Sequence, residues 1–460
     1  MKPTYEELES ELANTKALLK QALERIAELE EKLSLNSSNS SKPPSTDFKA
    51  NVPERKRKKR APREGKARAP FAADRVDRWV ECTRHDCAHC GSGAIVAVEA
   101  AIEVLQQVEL PKVRAIVTEY LLQKYSCTAC GKRSTADLPE GVPDSVFGPR
   151  VMALFANLTG VFHLAKREAI QLVKDVYDID IGLGSSSNIE ERVAAALDPV
   201  CQRIHRVILG GSLCKHFDET GWRTNGKHRF VWVASTDVAA YYMIDESRSR
   251  EALERLTGKD TDKLQKVVSD RYGVYNVISR LHQYCLAHLI RNFQRFSERE
   301  EKPDKSIGEA LAKELAKACQ IHGEYREGHI TKGSRNMRLG HLKRRVEYWL
   351  EDGHANGSDK LSGMCATLLD NFDKLWTFTK VDGMEPTNNL AERDLRKVVI
   401  WRKKSNGTRS RRGEVFVERI TSVAETLKRH GKNILHYIEQ AVRSFYANKA
   451  SPEICVGVGL

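Results

Sequence analysis

Three acidic residues that lie far apart in the sequence stand where an enzyme could use them to hold divalent metal ions. Asp218 lies within an apolar, β-favouring run, Asp270 ends a short apolar run, and Glu392 falls in the first turns of a predicted helix. A carboxylate in a buried strand is costly unless something satisfies its charge. Three such oxygen ligands that converge on one point form a hard site suited to two Mg²⁺ ions.

The elements that must position these acids can be predicted from local signals. Two apolar runs flank Asn225-Gly226 within residues 215–236, which predicts a β-hairpin with a type I′ turn. Asp270 would lie at the carboxyl end of a strand, where α/β sheets place their chemistry. Pro386 and the pair Asn388-Asn389 indicate the start of the helix that carries Glu392.

Two of the acids, Asp218 and Glu392, also have a simpler interpretation. Asp218 could be a strand-end or turn carboxylate that faces water, since burial of a strand residue is only inferred from the pattern. Glu392 could be the capping-box partner of Asn389. The order of elements favours a shared site, because an acid on a first strand, an acid ending a later strand and an acid on a late helix can meet in space.

Two Cys-x-x-Cys pairs, each followed by glycine, have the spacing of zinc ligands: Cys87, Cys90, Cys127 and Cys130. Each pair forms a tight turn that directs two thiolates at one point, and two pairs complete a tetrahedral, structural Zn²⁺ site. The apolar segments 102–108 and 115–123 are expected to be the strands of this zinc ribbon. Nearby side chains could substitute as ligands, namely Cys82, His85 and His89.

Four sequence blocks, in this order, resemble the transposases of the insertion-sequence-66 family. They are Asp-Glu-Thr-Gly-Trp-Arg (218–223), Ser-Asp-Arg-Tyr-Gly-Val-Tyr-Asn (269–276), Pro-Thr-Asn-Asn-Leu-Ala-Glu-Arg (386–393) and Ile-Trp-Arg-Lys-Lys-Ser-Asn-Gly-Thr-Arg-Ser (400–410). The similarity covers nearly the whole chain. It implies a ribonuclease-H-like catalytic core with an Asp-Asp-Glu triad, which maps onto Asp218, Asp270 and Glu392.

The resemblance also implies an activity. Such an enzyme binds the terminal inverted repeats of an insertion sequence, cleaves them with two Mg²⁺ ions (Mn²⁺ being an alternative), and joins the freed 3′-hydroxyls to target DNA. Two alternatives share part of the pattern: a Mg²⁺-dependent nuclease without strand transfer, and a non-catalytic zinc-ribbon DNA-binding protein. Accessory proteins of the same element are a further class of partner that the family leaves open.

Composition agrees with a nucleic-acid partner. The 460 residues include 75 Lys+Arg and 62 Asp+Glu, a net charge of +13, which favours association with a polyanion. No apolar run is long enough to span a bilayer and no signal peptide is expected. Eleven cysteines, several of them in Cys-x-x-Cys pairs, point to a reducing compartment, which the family resemblance makes the bacterial cytoplasm.

The first 35 residues have the heptad pattern of a coiled coil. The seam repeats in steps of three and four through Tyr5, Leu8, Leu12, Thr15, Leu19, Ala22, Ile26, Leu29 and Leu33. This pattern predicts a helix that pairs with another copy of the chain, most simply as a dimer. The alternative is a single amphipathic helix that packs on the protein's own core.

Residues 36–75 are expected to form a disordered basic linker, which could bind phosphates without sequence preference, be a solvated linker, or do both. Residues 76–140 would be the zinc ribbon. Helices predicted within residues 145–205 could form a helix-turn-helix-like DNA-binding domain or a plain connector. The catalytic domain would comprise 210–300 and 380–415, interrupted by an all-α insertion at 301–379 and followed by C-terminal helices at 416–460. The predicted class is therefore α+β multidomain.

Two further groups accompany the acids. Cys285 and His288 resemble a Cys-x-x-His pair found between the second and third acids of related transposases, and they are interpreted as structural support near the site. After Glu392, cations are placed to hold the phosphates of the scissile strand, namely Arg393, Arg396, Lys397, Arg402 and Lys403. Trp401, among them, could stack on a base or pack internally.

Overall fold

The structure is a computed structural model that describes residues 5–36, 39, 69–96, 104–210, 212–259, 264–279, 281–299 and 302–454. Two compact units divide the chain: one comprises residues 53–116, and the other comprises residues 1–52 with 117–460. Most of the predicted linker at 36–75 lies outside the described residues. Among the helices that are described, none combines the length and apolar character needed to cross a membrane.

The expected strands of the zinc ribbon are wrong where they can be compared. Residues 104–108 and 115–123 form no regular strand, and 102–103 lie outside the described residues. Two short antiparallel strands occur instead on either side of the second cysteine pair, β1 (Lys124–Ser126) and β2 (Arg133–Thr135). Apolar residues of 104–123 are exposed, including Leu105 and Ile116, so their alternation does not face a core.

A five-stranded sheet forms the centre of the larger unit. Its strands are β3 (Lys215–Thr224), β4 (Lys227–Ser235), β5 (Ala240–Asp245), β6 (Lys266–Ser269) and β7 (Leu281–Tyr284). The spatial order is β5-β4-β3-β6-β7. The first three strands form an antiparallel meander, and β6 and β7 then add in parallel to β3.

The predicted hairpin is confirmed. β3 and β4 are joined by Asn225 and Gly226, whose φ angles are 49° and 80°. These two positive values are what a type I′ turn requires, and Asn and Gly adopt them at the lowest cost. The loop after helix α11 (Asn389–Ser405) reaches the same turn, where Thr408 accepts the backbone N–H of Asn225 at 2.9 Å and donates its own to Arg223 at 2.9 Å.

Helices that come before, between and after the strands in the sequence share one hydrophobic core with the sheet. They are α2 (Pro149–Gly160), α3 (Lys166–Tyr177), α4 (Leu183–Gly210), α5 (Arg250–Thr257), α11, α12 (Arg411–Arg429) and α13 (Ile434–Tyr446). α12 packs on α4 and β5, while α13 packs on α2. The helices of residues 145–205 therefore pack as part of the same body as the sheet.

A second core lies among helices that enter the sequence after β7. These helices are α6 (Leu286–Ser297), α7 (Lys302–Arg326), α8 (Lys332–Asn356), α9 (Asp359–Asp370) and the short α10 (Thr377–Lys380). Val268 and Tyr284, from β6 and β7, also belong to this core. The insertion is thus anchored on the sheet beside the strands that carry the second acid.

The N-terminal helix α1 (Tyr5–Ser34) has the length that the heptad pattern predicts. The seam side chains that are described are exposed, with Leu12 and Leu19 at 54% and 59%. The alternative of a helix packed on the protein's own core is therefore wrong for these residues.

Candidate active site and metal-binding residues

Asp218 is a half-buried residue within β3, so the interpretation as a strand-end or turn carboxylate is wrong. It lies in the middle of β3, opposite Val233 of β4. Burial raises the pKa of its carboxyl well above the usual range, and the neighbouring carboxylates of Glu219, Asp270 and Glu392 raise it further. Its Oδ1 accepts the backbone N–H of Glu219 at 2.9 Å, which lowers the pKa by a smaller amount.

Asp270 follows the last residue of β6, as the sequence predicts. His216 of β3 is level with Val268 of β6, so continuing this register by two residues brings Asp270 beside Asp218. Adjacent strands lie about 4.8 Å apart. The Asp270 carboxylate accepts the backbone N–H of Tyr272 at 2.9 Å, which fixes the turn that leaves the strand.

Glu392 reaches the same region from α11, which packs against β3 and β4. The residue lies in the first turn of the helix, but Asn388 is the N-cap and the capping-box interpretation is wrong. The carboxylate Oε1 lies 3.3 Å from Nη2 of Arg291 and 3.5 Å from Nδ1 of His288. The start of α11 is bonded to β3 next to Asp218, because Nδ2 of Asn388 donates to the carbonyl of Phe217.

The three acids are a chemically suitable donor set for Mg²⁺. All the donors are carboxylate oxygens, which hard divalent cations prefer. Within the described part of the chain, neither Asp218 nor Asp270 has a cationic side chain within ion-pair distance. A divalent cation would offset the burial and the mutual repulsion that raise the pKa of Asp218.

Asn388 links the elements that carry the acids, a role that the sequence reasoning missed. It is fully buried, its Nδ2 donates to the carbonyl of Phe217 at 2.7 Å, and its Oδ1 lies 3.2 Å from Nδ1 of His216. Its own carbonyl accepts the backbone N–H of Glu392 at 3.1 Å. The start of α11 is therefore tied to β3 next to Asp218.

A fourth carboxylate, Glu219, was also missed. Its side chain is 1% exposed, and burial raises its pKa. Arg248 and the hydroxyl of Tyr275 both donate to it and offset part of that effect. Arg248 in turn lies over the ring of Tyr272 at 4.5 Å, so this network braces the turn that follows Asp270.

The predicted DNA-binding cations divide into two groups. Arg393, Arg396 and Lys397 are exposed on α11, in the turns that follow Glu392, and Lys403 is exposed further along the same helix. Arg402 instead donates to the carbonyl of Gly221 on β3, a structural role. Trp401 is buried against Trp222, Phe416 and His163, so of the two interpretations offered for it, internal packing is confirmed.

Each cysteine pair has the backbone of a metal knuckle. Cys87 accepts the N–H of Gly91 and donates its own N–H to Ser92, both at 2.9 Å. Cys127 repeats this pattern with Gly131 and Lys132 at 2.8 Å. Backbone N–H groups directed at the sulfurs lower the pKa of Cys87 and of Cys127, which favours the thiolate that binds Zn²⁺.

Comparison with known families gives three matches. The model described as Transposase IS66 family matches residues 144–415, which is more than half of the chain. The zinc-finger binding domain of transposase IS66 matches residues 85–131, a range that contains both cysteine pairs and supports Zn²⁺ there. Residues 2–71 match a family of unknown function (DUF6444), and no curated protein matches the chain significantly.

Proposed function

The chain belongs to the IS66 family of transposases, and we propose that it cleaves the ends of an insertion sequence and joins the freed 3′-hydroxyls to target DNA. The observation that supports this proposal is the register of β3 and β6, which continues from His216 and Val268 to bring Asp270 beside Asp218, together with the hydrogen bond from Asn388 to Phe217 that ties the start of α11 to β3. Burial and the neighbouring carboxylates raise the pKa of Asp218, and a perturbed acid is characteristic of catalytic centres. Asp218, Asp270 and Glu392 are therefore the proposed catalytic residues.

The sheet supports a ribonuclease-H-like core in this proposal. Three antiparallel strands, β5-β4-β3, are followed by two parallel strands, β6 and β7. The first acid lies on the central strand and the second at the end of its parallel neighbour. The helical insertion after β7 lies between the second and third acids in sequence, while α11 returns the third acid to β3.

The acids would hold two Mg²⁺ ions, or Mn²⁺ as an alternative. Ions held there would supply activation of a water or a 3′-hydroxyl as nucleophile and stabilisation of the leaving oxygen of a phosphodiester. Asn388 holds Glu392 at the start of α11, and the pair of Glu219 with Arg248 holds the turn after Asp270. No covalent protein intermediate is required.

DNA contacts are assigned to four regions. Exposed Arg393, Arg396 and Lys397 follow Glu392 on one helix and would neutralise the phosphates of the scissile strand. The zinc ribbon, whose family match supports DNA binding, and the helices of residues 145–205 are the proposed end-binding elements. The basic run at 55–68, which lies outside the described residues, would add sequence-independent affinity.

The exposed seam of α1 supports self-association as a coiled-coil dimer. Reduced cysteines that bind a metal ion are typical of a reducing compartment, so the proposed location of this transposase is the cytoplasm of a bacterium. Accessory proteins of the same element remain a proposed class of partner.

The test is Asp218→Asn in the full chain, assayed with Mg²⁺ and DNA that carries the element's own ends. Removing a charged metal ligand should lower cleavage and joining by roughly three orders of magnitude or more. End binding, measured by gel shift, should change little, and Asp370→Asn on the exposed end of α9 is the matched control. Retained metal-dependent nicking would contradict the assignment, and wild-type cleavage without joining of pre-cut ends would identify a nuclease instead.

A further inference from the structure

Cys285 and His288 lie at the junction between the sheet and the insertion. β7 ends at Tyr284, Cys285 is the N-cap of α6, and His288 lies in the first turn of that helix. Both are largely shielded from solvent, and Cys285 is fully buried. A Cys-x-x-His pair alone offers two ligands, which do not make a metal site.

The fold supplies a third ligand. The sulfur of Cys285, a ring nitrogen of His288 and a carboxylate oxygen of Glu392 all lie within 4.8 Å of one another. Nδ1 of His288 is buried and has no hydrogen-bond partner among the described residues, although Oε1 of Glu392 lies 3.5 Å away. An unsatisfied buried nitrogen that faces a carboxylate and a thiol is the arrangement that a cation would complete.

The surroundings of the sulfur favour a thiolate once a cation is present. The backbone N–H of Asn388 donates to Sγ of Cys285 at 3.1 Å. The N–H groups of Ala287 and His288, at the start of α6, act in the same direction. Burial has the opposite and larger effect, and raises the pKa of the thiol to about 11.

We propose that Cys285, His288 and Glu392 form a Zn²⁺ site that is separate from the zinc ribbon, and that zinc bound there inhibits cleavage by withdrawing Glu392 from the magnesium site. Sulfur, imidazole and carboxylate together suit Zn²⁺ and not Mg²⁺, which prefers oxygen. Arg291, 3.3 Å from Glu392, pairs with the carboxylate when zinc is absent. The inhibitory part rests on the proposed catalytic role of Glu392, while the binding part does not.

Zinc content tests the site directly. Full-length wild type, Cys285→Ser, His288→Ala and Cys365→Ser are dialysed to equilibrium against the same buffered Zn²⁺, and bound zinc per chain is measured. Cys365 is a buried cysteine of the second core, so it controls for the loss of a buried thiol. We expect Cys285→Ser and His288→Ala each to hold one ion fewer than wild type and than Cys365→Ser. Equal zinc content in all four proteins would overturn the site.

Inhibition is measured in the same proteins as the ratio of cleavage rates without and with added Zn²⁺, at constant excess Mg²⁺. The ratio should reach about ten or more for wild type and Cys365→Ser, and fall to about one for Cys285→Ser, because the thiolate ligand supplies much of the zinc affinity. Zinc that binds at the cluster without slowing wild-type cleavage would refute the inhibition. If none of these proteins cleaves DNA, the proposed function is wrong, but the zinc content still shows whether the Zn²⁺ site exists.

Discussion

Neighbouring acids on β3 illustrate how a structural carboxylate differs from a functional one. Glu219 and Asp218 are adjacent, and partial removal from solvent raises the pKa of each carboxyl. Arg248 and Tyr275 compensate Glu219, whereas the principal neighbours of Asp218 are other carboxylates. A fold that keeps Asp218 in this environment sacrifices stability, which is typical of residues retained for chemistry.

That environment predicts a gain of stability on removal of the charge. A carboxyl whose pKa is raised in the folded state contributes most stability below its unfolded pKa, near 3.8, and loses it as pH rises through the folded value. In EDTA, Asp218→Asn should therefore unfold at a higher temperature than wild type at neutral pH, with the difference shrinking towards pH 4. A rise of a few degrees is expected, since about 1 kcal/mol corresponds to roughly 2–4 °C for domains of 150–250 residues.

Thermal unfolding followed by circular dichroism from pH 4 to 8 measures this difference. Added Mg²⁺ should raise the melting temperature of wild type and not of Asp218→Asn. Asp370→Asn, on the surface of α9, should match wild type throughout. A variant less stable than wild type at neutral pH would contradict the account of Asp218.

At the scale of elements, short sequence signals predicted the strands and the helix that carry the three acids. Asn225-Gly226 predicted the hairpin, the apolar run before Asp270 predicted β6, and the asparagine pair predicted the start of α11. No strand forms over the described residues 104–108 and 115–123, because apolar alternation forms a strand only when a partner strand and a core are available. Asn388 and Glu219 were missed since their partners lie on other elements, which no local pattern records.

Asn388 joins the start of α11 to β3, and its substitution should affect both stability and cleavage. Asn388→Ala would leave the carbonyl of Phe217 and the ring of His216 without their buried partner, at a cost of about 1–3 kcal/mol. Since the same residue positions Glu392, cleavage should fall even at temperatures where the variant is fully folded. Asn389→Ala, at the next and exposed position, is the matched control. Unfolding in urea and cleavage assays on both variants measure the two effects, and equal behaviour of the two would refute the role of Asn388.

At the scale of the whole molecule, the larger unit contains two hydrophobic cores. One joins the sheet to helices from residues 149–210 and 389–446, and the other lies among α6 to α9. Because the insertion has its own core, the chain can leave the sheet after β7 and return with Glu392 on α11 while the first core stays intact. Local periodicity predicts the individual helices of such an insertion, but not which strands they pack against.

The zinc-finger region should depend on its metal ion for order. Residues 104–123 form no regular secondary structure and expose many apolar side chains, so packing alone contributes little to their stability. Chelation of zinc should therefore increase hydrogen exchange in 85–131 first, because metal binding is folding energy in such modules. Exchange within the buried helix α2 serves as the internal control. Unchanged exchange in 85–131 after complete loss of zinc would show that the metal ion does not stabilise this region.

The proposed association through α1 can be tested at two residues of its seam. Leu12 and Leu19 lie one heptad apart on the exposed seam, and Asn14 and Gln21 lie one heptad apart on another face. The double substitution Leu12→Lys with Leu19→Lys should dissociate the dimer, because like charges would replace apolar contacts at the interface. Asn14→Lys with Gln21→Lys adds the same charge and should leave the dimer intact. Sedimentation velocity measures both, together with a truncation that starts at Asn36. If the truncated chain sediments as the same oligomer as the full chain, self-association does not depend on α1.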